Sequence, residues 1–133
     1  MDAQGTMRLM FDTMDAYDRA DFDRLGEIYA EDAQWINADP EGPHCRNRDD
    51  IFAMFRQNMD AGIRIGFDEM RSTPTHVVLT ARVNGYAPVV SVFTFEGRRI
   101  VAVRDYPSRK AAESALAGRR RRWWRRWRPG SRG

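Results

Sequence analysis

Apolar residues at helical spacing near the start of the chain predict a first helix over about residues 3–20. Its apolar face consists of Met7, Met10, Phe11, Met14 and Tyr17. Asp21 is a residue type that caps helices, and it predicts a short second helix. Asn47 likewise predicts the start of a third helix, which ends near Gly62. The apolar side of this third helix consists of Ile51, Phe52, Phe55, Met59 and Ile63.

Extended segments lie between and after these helices. One is expected at residues 33–38, before a turn rich in proline and glycine. After the third helix come four β-like runs, at residues 64–71, 75–83, 89–95 and 99–105. A short helix over residues 108–116 follows. Helices followed by an antiparallel meander predict an α+β domain.

The last strand carries an acid at its end. Val101, Val103 and Asp105 alternate along one face, and the opposite face is also largely apolar. We therefore expect this strand to be covered on both sides. A carboxylate there is unfavourable to bury unless it is paired or functional, which makes Asp105 a candidate site residue.

Arg82 and Asn84 share one set of alternating positions on the strand at residues 75–83. This set is half polar, so two interpretations stay open. The two side chains either line a pocket or lie on the solvent face beside the Asn84-Gly85 turn.

Size and composition are those of one globular domain. The chain has 133 residues, of which 42% are hydrophobic and 31% are charged. With no visible signal peptide or membrane span, and with Cys45 as the single cysteine, we expect a cytoplasmic protein. His44 and Cys45 are adjacent in an extended segment and point to opposite sides. We therefore expect neither a metal site nor a cofactor.

The net charge of +3 conceals a division of the chain. Residues 119–133 contain eight arginines and no acid, whereas the other residues contain 14 basic against 19 acidic side chains, a net charge of −5. We therefore divide the chain into a domain at residues 1–118 and a basic Arg/Trp-rich tail at residues 119–133, expected to be disordered. Such a tail can attract anionic lipid or nucleic acid nonspecifically, or it can be an incidental product of a GC-rich gene.

Three strings, "ADFDRLGEIYAEDAQW", "CRNRDDIFAMF" and "GRRIVAVRDY", resemble stretches of the nuclear transport factor 2-like superfamily. The resemblance covers about residues 5–117. The superfamily includes SnoaL-like polyketide cyclases and limonene epoxide hydrolases. It implies a cone-shaped, strongly curved antiparallel sheet, barrel-like, wrapped over N-terminal helices, with a pocket at the open end. It also implies a homodimer formed through the exposed face of the sheet.

The catalytic pattern of limonene epoxide hydrolase is partly present. "TARVNG" supplies Arg82 and Asn84, "VRDY" supplies Asp105, and "QWIN" supplies Trp35 and Asn37. The resemblance implies that Asp105 is a base oriented by Arg82, whose charge would lower the pKa of the aspartate. Asn84 stands where the hydrolase has its acid, and Trp35 stands where it has a tyrosine, so ordinary epoxide hydrolysis is not expected.

The pattern of ketosteroid isomerase is absent, because Asn37, Thr13 and Ser91 occupy the positions of its three functional groups. Polyketide cyclases of the superfamily use one pocket aspartate, and the resemblance implies that Asp105 is its equivalent.

The combined prediction is a small-molecule-binding domain. Asp105 and Arg82 are the candidate catalytic residues. The candidate ligand-binding residues are Asn84, Asn37, Trp35, Tyr17, Met14 and Phe55. One hypothesis is an acid/base enzyme acting on a mostly apolar oxygenated molecule, such as a polyketide or terpenoid, and the alternative is a ligand-binding module without turnover.

Overall fold

Nine helices and strands make up the described part of the chain in the computed structural model, which covers residues 1–84 and 88–127, with side chains up to residue 118. In chain order they are α1 (Ala3–Asp18), α2 (Phe22–Ile28), β1 (Tyr29–Ile36), α3 (Arg48–Asp60), β2 (Ile65–Ser72), β3 (His76–Val83), β4 (Val89–Glu96), β5 (Arg99–Tyr106) and α4 (Arg109–Trp127).

Polar residues cap the start of each of the first three helices. The carboxylates of Asp2 and Asp21 accept from backbone N–H groups three residues on, at 2.7 and 3.0 Å. The Asn47 side chain accepts from the N–H of Asp50 at 2.9 Å. The predicted caps at Asp21 and Asn47 are therefore confirmed, and each satisfies a donor that the helix itself leaves free.

The sheet has the order β1-β5-β4-β3-β2. Strands β2 to β5 form the predicted antiparallel meander, and β1 joins it by pairing with β5 in parallel, so the sheet is mixed at this edge. The parallel pair is possible because α3 and three strands separate β1 from β5 along the chain. The sheet is curved and open, with β1 and β2 at its edges, in an α+β cone.

The main core lies between the inner face of this sheet and helices α1, α2 and α3. Its largest fully buried side chains include Tyr29, Leu25, Ile28, Ile51 and Ile100. A bulge in β5 opposite Thr94 and Phe95 puts Ile100 and Val103 both in the core. Asp105 follows Val103 by two residues, and alternation therefore turns it towards the same interior.

Helix α4 covers part of the outer face of the sheet, where Ala112 packs with Val90 and Val92. Helix α4 therefore covers the outer face of β4 and the end of β5 at Tyr106, whereas Arg104 on the outer face of β5 is exposed, so the expectation that β5 is covered on both sides is met only at its end. The helix is longer than predicted, because it continues past residue 116 into the basic segment as far as Trp127. Residues 128–133 and the side chains from residue 119 lie outside the described part, and the division at residue 118 stays a prediction.

No helix within residues 1–84 and 88–127 is long and apolar enough to cross a membrane.

Candidate functional site

A cavity of about 200 Å³ lies between the helices and the inner face of the sheet. Helices α1 and α3 contribute Met14, Tyr17 and Phe55, three of the predicted ligand-binding residues. The sheet contributes Trp35 from β1 and Asp105 from β5. The rest of the lining is mainly apolar, with Leu25, Leu79, Ala81, Val83 and Phe93 among its members.

Asp105 is held in this cavity wall by two hydrogen bonds from neighbouring strands. Trp35 Nε1 donates to Oδ2 at 3.0 Å, and Ser91 Oγ donates to Oδ1 at 2.6 Å. The sheet register accounts for both contacts, since Ser91 is the cross-strand partner of Asp105 on β4 and Trp35 lies on β1, the other neighbour of β5. The carboxyl group is therefore oriented by residues from two strands, one on each side of β5.

Burial raises the pKa of Asp105, and the hydrogen bonds from Ser91 and Trp35 oppose that rise without cancelling it. The pKa is therefore raised, whereas the predicted neighbour Arg82 would have lowered it. A carboxyl group with a raised pKa is a stronger base when ionised and can also donate a proton nearer to neutral pH. The environment of Asp105 therefore suits acid/base chemistry in either direction.

Aromatic rings fix the indole that contacts Asp105. Trp35 packs edge-on against Phe55 and Phe93, with ring centroids 5.8 and 5.7 Å away. Phe55 in turn packs edge-on against Tyr17 at 4.9 Å. Edge-to-face pairs of this kind favour one ring orientation, so the indole N–H is held towards the carboxylate.

Arg82 does not lie beside Asp105, so the predicted pairing is wrong. Its guanidinium donates through Nε to Asp68 Oδ2 at 2.5 Å, and 64% of its side chain is exposed. The reason is strand alternation: Leu79 and Ala81 on β3 face the cavity, which directs Arg82 to the outer face. The solvent-face interpretation of this strand is the one the structure bears out.

Asn84 stabilises a turn outside the cavity. Its side-chain oxygen accepts from the backbone N–H of Arg64 at 2.9 Å, and its φ of 23° lies in the left-handed region that asparagine tolerates. Its contacts therefore tie the end of β3 to the start of β2. The structure does not bring Asn84 to Asp105.

Asn37 borders a second cavity of about 240 Å³, which Asp105 also touches. The side-chain oxygen of Asn37 accepts from the N–H of Asp39 at 3.0 Å, and its own backbone N–H donates to His44 Nδ1 at 3.0 Å. These bonds order the turn after β1. Asn37 is thus near Asp105 in space without lining the main cavity.

The hydrogen bond from Ser91 to Asp105 was not predicted from the sequence. There, Ser91 was noted only because it stands where ketosteroid isomerase has a functional group. It is 6% exposed and is the one hydroxyl in the apolar run from Val89 to Phe93. A lone hydroxyl within such a run needs a partner when it is buried. That isolation is the signal that pointed to a polar contact, although not to which residue makes it.

His44 and Cys45 do not converge on a common site. His44 contacts the turn through Asn37 and Pro40, whereas Cys45 Sγ lies 4.0 Å from Met54 Sδ. Burial raises the pKa of the Cys45 thiol, which makes it a poorer nucleophile at neutral pH. Among the residues with described side chains, no group of three or more His, Cys, Asp or Glu is placed to hold a metal ion.

The sequence profile of the SnoaL-like domain matches residues 11–103, which is most of the folded part of the chain. The chain belongs to the SnoaL-like family. No curated protein sequence matches it.

Several solved structures share the fold of this SnoaL-like domain. Bal32a, from a soil-derived mobile gene cassette, is 20% identical with a TM-score of 0.67, over 78% of this chain and 89% of Bal32a. A putative polyketide cyclase from Sinorhizobium meliloti is 19% identical with a TM-score of 0.64, over 74% and 93%. An LEH-like epoxide hydrolase from M. tuberculosis is 17% identical with a TM-score of 0.61, over 87% and 92%. These TM-scores establish a shared fold. Identities this low do not show a shared activity, which must be argued from the residues of the site.

Proposed function

We propose that this SnoaL-like protein is an acid/base enzyme that moves a proton on a compact, mostly apolar, oxygenated molecule, with Asp105 as the catalytic residue. The observation that carries the proposal is the placement of Asp105. It is an oriented carboxyl group with a raised pKa in the wall of an apolar cavity. That combination is typical of acid/base catalysts, whose pKa is brought closer to the working pH by burial.

The cavity volume limits the substrate. Because a cavity of about 150 Å³ accepts benzene, 200 Å³ suits a molecule of roughly ten non-hydrogen atoms. Pockets for drug-sized ligands are larger, at about 300–1,000 Å³. A one- or two-ring terpenoid or aromatic ketone therefore fits the proposal better than a multi-ring polyketide.

Proton exchange tests the proposal without knowledge of the natural substrate. In D₂O, we expect the protein to accelerate deuterium incorporation at the carbon next to the carbonyl of 1-tetralone, a two-ring ketone, as followed by NMR. Asp105 would take a proton from that carbon to leave the enolate, the carboxyl proton would exchange with D₂O, and the deuteron would then return to the carbon, so the ketone is otherwise unchanged. In Asp105→Asn the rate should fall by about 10²-fold or more, because the amide cannot accept that proton.

Arg82→Gln is the matched control, since Arg82 lies on the outer face and should leave the exchange rate unchanged. Equal exchange by the wild type and Asp105→Asn, or no exchange above the buffer rate, would contradict the proposal.

A ligand-binding module without turnover is the second candidate function. It is favoured by the two hydrogen bonds that Asp105 already accepts, which stabilise the ionised form and weaken it as a base. Saturable binding of 1-tetralone without deuterium exchange would support this candidate over the enzyme.

The predictions of a homodimer, a cytoplasmic location and an anion-attracting tail stay hypotheses. A dimer through the outer face would have to use the part that α4 leaves open, because this helix covers Val90 and Val92.

Removal of residues 119–133 should weaken binding to anionic vesicles and to DNA at low salt. Unchanged binding to both would argue against a role of the tail.

A further inference from the structure

Tyr17 is a residue of the main cavity wall whose hydroxyl group no described residue satisfies. It lies on the last turn of α1 and lines the cavity. Its hydroxyl oxygen is buried and has no hydrogen-bond partner among the residues that the structure describes. Buried polar groups in proteins are nearly always hydrogen-bonded, so this hydroxyl calls for an explanation.

Three other donors at the cavity, on Thr13, Ser91 and Trp35, are already in use. Thr13 Oγ1 donates to the carbonyl oxygen of Leu9 at 2.7 Å. Ser91 Oγ and Trp35 Nε1 both donate to Asp105. Among these hydroxyl and indole donors, the Tyr17 hydroxyl alone is without a described acceptor, and a phenylalanine would fill the same space without that penalty.

Burial raises the pKa of Tyr17, and the charge of Asp18 adds to this effect. The hydroxyl therefore stays protonated at neutral pH and is available as a donor. Its ring is held in place by the perpendicular contact with Phe55, so the donor has a fixed position before any ligand arrives.

Tyr17 and Asp105 belong to different parts of the cavity wall. A chain of contacts runs from Tyr17 to Phe55, from Phe55 to Trp35, and from Trp35 to Asp105. No direct contact joins the Tyr17 hydroxyl to the Asp105 carboxylate; they are connected only through these two packed rings. Each group can therefore contact a ligand in the cavity independently of the other.

We propose that the Tyr17 hydroxyl is the group that binds the substrate's oxygen, donating a hydrogen bond to the carbonyl of a compact apolar ketone. This inference rests on the proposed function for the location of the ligand in this cavity. It adds the substrate class and a second binding residue, which acts separately from Asp105.

The experiment compares 1-tetralone with tetralin, the hydrocarbon of nearly the same shape, by isothermal titration calorimetry. The proteins are the wild type, Tyr17→Phe, Asp105→Asn and the control Tyr106→Phe, a tyrosine that does not line the main cavity. We expect Tyr17→Phe to weaken ketone binding about five- to tenfold, the effect of one lost hydrogen bond, and to leave tetralin binding unchanged. Tyr106→Phe should keep the wild-type ratio of the two affinities.

Four outcomes would overturn the inference. They are an equal loss for both probes in Tyr17→Phe, no loss for either, a loss of ketone preference in Asp105→Asn instead, and no saturable binding of either probe to the wild type. The melting temperature is an independent check. Tyr17→Phe should melt at the same temperature or higher, because it removes an unpaired buried hydroxyl, and a clear fall would mean that the hydroxyl has a partner within the protein.

Failure of the proposed function is visible separately. If Tyr17→Phe loses ketone binding as expected while the wild type exchanges no deuterium, the Tyr17 contact stands and the catalytic role of Asp105 does not.

Discussion

Replacing Asp105 by asparagine or by alanine separates the charge of the carboxylate from its hydrogen bonds. In the wild type, Oδ2 accepts from Trp35 and Oδ1 accepts from Ser91. An asparagine can keep both bonds, because its amide oxygen accepts from the indole and its amide N–H donates to the Ser91 hydroxyl once that hydroxyl rotates. Alanine keeps neither bond and leaves two donors facing an apolar cavity.

The expected magnitudes follow from these contacts. A buried donor left without an acceptor costs about 1–3 kcal/mol. Ser91 is 6% exposed and the Trp35 indole is packed between Phe55 and Phe93. We therefore expect Asp105→Ala to lower the free energy of unfolding by about 2–5 kcal/mol. Asp105→Asn should be at least as stable as the wild type at neutral pH, because it removes a charge that burial disfavours.

The difference between the wild type and Asp105→Asn should also depend on pH. Because burial raises the pKa of Asp105 in the folded state, the folded protein holds this proton more tightly than the unfolded chain. The wild type therefore has its full relative stability below the ordinary pKa of an aspartate. It loses stability as the pH rises through the folded-state pKa, so the advantage of the asparagine variant should grow over that range.

Urea unfolding followed by circular dichroism, at a series of pH values between about 3 and 8, measures both effects. The other titrating groups are common to both proteins and cancel in the comparison. Equal losses of stability in the alanine and asparagine variants would refute the assigned hydrogen bonds. An asparagine variant whose advantage shrinks as the pH rises would refute the direction of the pKa.

Three further predictions concern neighbouring features. Trp35→Phe removes the indole donor, so the pKa of Asp105 should rise further. Titration of the Asp105 carboxyl carbon by NMR measures this pKa, and a lower pKa than in the wild type would contradict the prediction. Arg82→Gln should change the free energy of unfolding by about 1 kcal/mol or less, since its ion pair is exposed, and a larger loss in urea unfolding would contradict the surface assignment. Phe55→Ala should cost about 3–5 kcal/mol, because this ring is 5% exposed and contacts other aromatic rings; a loss below 1 kcal/mol by the same measurement would mean that the core closes over the space.

The candidate site was only partly predictable from sequence. Alternation along β5 correctly placed Asp105 on the same face as Val103, because a period of two is local to one strand, but both faces of β5 are largely apolar, so the pattern did not choose the inner one. The same rule could not choose between the two faces of β3, where Arg82 turned out to lie on the solvent side. Family resemblance favoured the pairing of Arg82 with Asp105, and the folded geometry did not follow it.

The partners of Asp105 depend on strand register. Ser91 contacts Asp105 because β4 and β5 pair with these two residues opposite one another. Trp35 contacts Asp105 from a strand 70 residues earlier in the chain. No local pattern specifies such contacts, so the donors around the carboxylate, and hence the direction of its pKa, required the assembled sheet.

By itself, the sequence determined the helices, their capping residues Asp21 and Asn47, the strands of the meander and the shared face of Val103 and Asp105. These features depend on spacing and on backbone preferences within a few residues. Only the tertiary structure decided the parallel pairing of β1 with β5, the outward position of Arg82 and the unpaired hydroxyl of Tyr17. Those features depend on which distant segments meet, and the packing of the whole domain determines that.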